Sequence, residues 1–151
     1  MDEFAYLPEN AEQAGVTGPL QSVTRLERGQ VSALRWGPVD ARDIDAPRVV
    51  FLHGGGQNAH SWDTVILGLG LPALAIDLPG HGRSACREDG DYGPRSNAAT
   101  VEPVIRDQGE ELVVFWIATV RYHVDNVDHL SLPDQCREEL QTSRFRDIVV
   151  E

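Results

Sequence analysis

Two apolar runs in this chain stop abruptly at small, flexible residues, and chemistry is most readily done at those stops. Val49-Val50-Phe51-Leu52 ends in His53-Gly54-Gly55-Gly56, and Ala75-Ile76 ends in Asp77-Leu78-Pro79-Gly80-His81-Gly82-Arg83-Ser84. A buried strand that ends in glycine leaves bare backbone N–H groups facing a crevice, where they can hold negative charge on a ligand or a reacting oxygen. The backbone amides of the Gly54-Gly55-Gly56 stop are therefore candidates for holding such charge. No catalytic residue can be named beside them, because the chain contains no Gly-x-Ser-x-Gly, the pattern that sets a serine on a strained strand-to-helix turn.

The side chains around these stops carry plainer expectations. His53 fixes its loop by hydrogen bonding, and Trp62 packs rather than touching substrate. His81 and Arg83 sit on a loop, either facing solvent or latching it. Asp77, at a strand end, accepts loop hydrogen bonds, and Ser84 serves as a capping hydroxyl. A competing pattern is also present: Gly54-Gly55-Gly56-Gln57-Asn58-Ala59 spells G-x-G-x-x-A after a strand, with Asp77 at a plausible distance for a ribose. Against that dinucleotide reading, His53 intrudes before the first glycine, and the following helix is short, with Gly68 and Gly70 expected to break it. A Walker loop is excluded, since neither Gly-Lys-Ser nor Gly-Lys-Thr occurs. Cys86 and Cys136 are isolated, so no metal site, disulfide framework or cofactor is expected.

The elements that must position these residues form a simple series. Two short runs from Leu20 to Trp36 flank Glu27-Arg28-Gly29-Gln30 and predict a hairpin. Val49 to Leu52 lacks polar alternation, as in a strand covered on both faces. Ser61 to Leu67 predicts a short helix, and Leu74 to Ile76 the next buried strand, completing a βαβ unit. Thr100 is expected to cap a helix with Pro103 in its first turn, running to Arg106. Leu112 to Ile117 reads as a third continuous apolar strand. Beyond Arg121 a short strand around Tyr122 to Val127, then a helix from Pro133 toward Phe145, complete the series. The fold class is α/β.

The 151 residues fit one domain, which at this size can bury about 68–70% of its unfolded surface. Lys plus Arg total 13 against 24 Asp plus Glu, a net −11, which argues against nucleic acid and anionic membrane as partners. The acidic start Met1-Asp2-Glu3 lacks the basic and apolar regions of a secretory signal, so the cytoplasm is the expected location. Leu112 to Val120 is the longest apolar stretch, far short of the roughly 20 residues that span a bilayer.

Taken together, His53-Gly54-Gly55-Gly56, Trp62 and Asp77-Leu78-Pro79-Gly80-His81-Gly82-Arg83-Ser84 resemble the α/β-hydrolase superfamily over about residues 20 to 114. The resemblance implies a partial α/β-hydrolase fold: an N-terminal hairpin and a mostly parallel sheet with flanking helices. It further implies hydrolysis of an ester or similar acyl bond in a small-molecule substrate, with Gly55 as the main oxyanion donor and Gly56 beside it. The expected organisation is a loosely ordered segment 1–19, a partial core 20–120, and a C-terminal tail 121–151 containing a helix. In the family the nucleophile would follow Leu112-Val113-Val114, yet here the strand runs on into Phe115-Trp116-Ile117. The chain is accordingly read as truncated or frame-altered and inactive as written, with Asp128-His129 resembling the family's base region. A non-catalytic binding or interaction module and a dinucleotide-binding βαβ domain are the alternatives. A strand at 112 without outer neighbours would expose a sheet edge and invite self-association.

Overall fold

A computed structural model of the chain describes residues 3–37, 47–109, 112–116 and 141–144. The strand expected at 122–127, the Asp128-His129 pair and Cys136 lie outside the described residues. The described strands form one six-stranded sheet in the order β1-β2-β4-β3-β5-β6. Here β1 is Val23–Arg28, β2 Val31–Trp36, β3 Val49–Leu52, β4 Ala73–Ile76, β5 Val113–Trp116 and β6 Gln141–Arg144.

The hairpin is as expected: β1 and β2 pair antiparallel, Arg28 opposite Val31, across a turn in which Gly29 takes φ +58°. β2 then pairs antiparallel with β4, while β3 lies parallel to both β4 and β5. Every residue of β3 and β4 is buried, because each face of the sheet is covered. Period-two alternation divides them. Val49, Phe51, Ala73 and Ala75 meet Trp62, Ile66 and Leu67 on one face, and Val50, Leu52, Leu74 and Ile76 meet Val101, Val104 and Ile105 on the other. The small Ala73 and Ala75 leave room for Trp36, Phe51 and Trp62 on the first face.

The first face is covered by helices α1 (Leu7–Gln13) and α2 (Asp63–Leu69), the second by α3 (Pro94–Arg106). Two expectations are corrected here, and the segment expected to be loosely ordered takes a defined form over its described residues 3–19. It contains α1, with Pro8 in the first turn and Gly15 at φ +72° after the last, closed by Val16 N–H to Ala11 C=O and Gly15 N–H to Glu12 C=O. Gly68 does not end α2. It lies inside the helix, and Gly70 at φ +64° is the left-handed cap. The third helix does not start at Thr100 but at Pro94, where proline needs no N–H partner. Thr100 instead donates its hydroxyl to the Ser96 carbonyl in mid-helix, and Pro103 sits in the interior.

The tail also differs from expectation where it is described. Residues 141–144, placed by the sequence in a helix, form β6 and pair antiparallel with β5, Phe115 opposite Thr142. The outer edge of β5 is therefore occupied, and the edge position passes to a strand of Gln, Thr, Ser and Arg. No helix among the described residues is long and apolar enough to cross a membrane.

Candidate active site

Both glycine stops lie at the ends of neighbouring parallel strands, as β3 and β4 require. After β3 the chain turns at once. Gln57 N–H donates to Gly54 C=O at 3.3 Å, the Gln57 side chain accepts from Gly54 N–H at 3.0 Å, and Gly56 takes φ +76°. A turn with a left-handed third residue calls for glycine there, so the identity of Gly56 follows from backbone geometry. Its N–H is also engaged, donating to His81 Nε2 at 3.3 Å. The Gly55 N–H differs: it has no partner among the described residues, and Gly55 is exposed.

His53 is fully buried beneath this turn. Its Nδ1 lies 2.8 Å from the Gly54 carbonyl, and its Nε2 accepts from Leu78 N–H at 2.9 Å. An acceptor Nε2 leaves the proton on Nδ1, so the ring is neutral. Burial pushes its pKa down, outweighing the opposing pull of the Gly54 carbonyl and Asp77. The residue thus fixes its loop, as the sequence reading held, and does so by tying the first stop to the second. Trp62 packs as expected, its ring centroid 4.8 Å from that of Phe51.

Asp77 is the hub of the second stop. Its buried carboxylate accepts from Ala59 N–H at 2.7 Å, Arg25 at 2.8 Å and Arg83 N–H at 3.1 Å. The Ala59 bond closes the start of a 3₁₀ turn, Ala59–Trp62, that leads into α2. Gly82, at φ +52°, passes so close that a Cβ there would fall within the Asp77 carboxyl group. Ser84 completes the stitch: its hydroxyl accepts from Ser32 N–H at 2.9 Å and donates to the Asp77 carbonyl at 2.5 Å.

These bonds decide against the dinucleotide reading. The carboxylate that would receive a ribose is 1% exposed and already holds three donors. The glycine turn, moreover, feeds a four-residue 3₁₀ turn and a seven-residue helix rather than a firm helix N-terminus.

Glu3 was not foreseen from the sequence. Its carboxylate meets Arg25, His60 at 3.3 Å and Arg83 at 3.2 Å, while His60 Nδ1 lies 2.8 Å from Asp63. This web runs from the N-terminal segment through β1 to the loop after β4. A cleft of about 410 Å³ lies over it, lined by Glu3, Phe4, Asn10, His60 and Asp63. A second, of about 320 Å³, lies at the end of α1. Gly55 and Gly56 line neither. No cluster of three or more His, Cys, Asp or Glu suited to a metal ion occurs among the described residues.

Residues 49–135, more than half of the chain, match the model of the alpha/beta hydrolase family. The chain belongs to that family. The alpha/beta hydrolase match begins at the first residue of β3, takes in both glycine stops and β5, and continues beyond residue 114, where the motifs left it. Esterase Rv0045c of Mycobacterium tuberculosis is 64% identical over 116 residues, 76% of this chain and 37% of that protein. A solved structure of the M. tuberculosis esterase aligns with a TM-score of 0.67 at 62% identity, covering 74% of this chain and 37% of that one. Protein ABHD14A of Rattus norvegicus is 31% identical over 52% of this chain and 34% of its own length. The chain spans little more than a third of the length of these relatives.

Proposed function

We propose that this chain carries the oxyanion-binding part of a hydrolase site for small-molecule esters, with Gly55 N–H as the donor. The observation that carries the proposal is that Gly55 presents an exposed amide, without a partner among the described residues, at the end of β3. The 64% identity to an esterase supports ester over other acyl substrates. When a nucleophile adds to an ester carbonyl, the π-electron pair moves onto oxygen, and an amide already aimed there stabilises the resulting anion. One such donor is worth about 10²–10³ in kcat. Gly56 is demoted from donor to turn residue, since its N–H is held by His81.

The chain itself supplies no Gly-x-Ser-x-Gly, so alone it is expected to show little turnover. Two measurements test the reading. A fluorophosphonate probe should label no serine of this chain, and covalent labelling would refute its inactivity. The segment 20–116 should also sustain short-chain aryl-ester hydrolysis when exchanged for the matching segment of esterase Rv0045c. In that chimera Gly55→Pro, which deletes the N–H, should lower kcat by about 10²–10³. An unchanged kcat would remove Gly55 from the site.

A further inference from the structure

His53 and His81 take no direct part in oxyanion binding by Gly55, yet their bonds are reciprocal. His53, on the first stop, reaches across to accept from Leu78 N–H on the second. His81, on the second stop, reaches back to accept from Gly56 N–H on the first. Each ring then places its other nitrogen against a carbonyl of its own loop, His53 Nδ1 at 2.8 Å from Gly54 and His81 Nδ1 at 3.1 Å from Pro79. The two rings meet edge to face with centroids 5.0 Å apart.

We propose that His81 is a positioning residue: with His53 it forms a crossed clamp that draws the Gly56 N–H inward and so leaves Gly55 as the single donor of the turn. This rests on the reading of Gly55 as the oxyanion donor, but its geometry can be tested without turnover. An imidazole that accepts at Nε2 and donates at Nδ1 must be neutral and in the Nδ1–H tautomer, because each nitrogen's role is set by the bond it makes. A solvent-facing His81 would be under no such constraint. The clamp also explains the side chain at position 81. Phe could fill the same space against His53, but only a side chain with an acceptor at its tip can take the Gly56 amide.

The test uses the full chain labelled with nitrogen-15. Long-range proton–nitrogen correlation spectra at neutral pH should show both His53 and His81 as Nδ1–H tautomers. Amide exchange at Gly56 should be slower than at Gly55 by about tenfold, the order expected for one hydrogen bond. His81→Phe should bring Gly56 to the rate of Gly55 while amides in β3 and β4 stay protected, and His81→Gln, whose Oε1 can accept, should restore the difference. An Nε2–H tautomer for His81 would overturn the proposal, as would Gly56 protection that survives His81→Phe. If His81→Phe fails to fold, the tautomers and the Gly55–Gly56 rate ratio of the unmodified chain decide alone. None of these readouts depends on ester hydrolysis. A failed Gly55→Pro test in the chimera with an intact tautomer signature would strike the donor assignment and spare the clamp.

Discussion

Asp77 ties β1, the Ala59 turn and the loop after β4 together through one buried carboxylate. It is 1% exposed and shares Arg25, whose side chain is 13% exposed, with Glu3, so neutralising it leaves the cation to Glu3 alone and turns one acceptor oxygen into an amide NH2 that faces N–H donors. Asp77→Asn should destabilise the chain by about 1–3 kcal/mol, the cost of leaving a buried donor unsatisfied. Urea unfolding measures it. Gly82 and Gly29 give a second, matched comparison. Both are left-handed, at φ +52° and +58°, but a Cβ at Gly29 meets nothing within 4 Å whereas one at Gly82 meets the Asp77 carboxyl. Gly29→Ala should cost about 1–2 kcal/mol for backbone strain alone. Gly82→Ala should cost clearly more, and equal midpoints for the two would contradict the close approach.

His60 and Glu3 set the pH dependence of the web they share. Hydrogen bonding to Asp63 raises the His60 pKa despite the opposing cost of burial, so its stabilisation is complete below the ordinary value of 6.5 and is lost as pH rises through the raised one. For Glu3, burial alone would raise the pKa, but the bonds to Arg25 and His60 together overcome it and hold it down. Its contribution is complete above the ordinary value of 4.5 and is lost as pH falls through the lowered one. Both contribute fully between pH 4.5 and 6.5. The stability difference between the unmodified chain and His60→Gln should be largest below pH 6.5 and shrink above it.

Among the elements, the central strands were the most legible in the sequence, and the reason is physical. β3 and β4 are buried on both faces, so every position is apolar and the boundaries are set by glycine and proline. Helix ends were harder. The signals Pro8 with Gly15, and Pro94 after Gly93, are the expected start and stop marks of α1 and α3, but in short, weakly apolar segments they read equally as loop punctuation. The glycine stops were visible, and so was the structural character of His53, Asp77 and Ser84. The Arg25 and Glu3 partners were not, because a local pattern cannot show that Arg25, opposite Leu34 in the hairpin, reaches a carboxylate 52 residues on. Packing gives an element-scale prediction too. Ile105, 1% exposed on the inner face of α3, should cost about 2–5 kcal/mol when cut to alanine.

For the whole molecule, the addition of β6 changes what the sheet offers to other copies. The apolar β5 lies one strand in from the edge, and the strand outside it is polar in sequence, a pattern that discourages edge-to-edge pairing. We therefore expect a chain ended at residue 140 to self-associate more than the full chain in sedimentation velocity runs at equal concentration. Equal behaviour would mean that β6 does not guard β5. The Glu3 web bears on how the molecule is assembled over time. Synthesis reaches Glu3 before its partners Arg25, His60 and finally Arg83, so the web can close completely only once residue 83 has been added. The contacts that hold the segment ahead of α1 are thus among those that must be completed late, by residues far downstream of it.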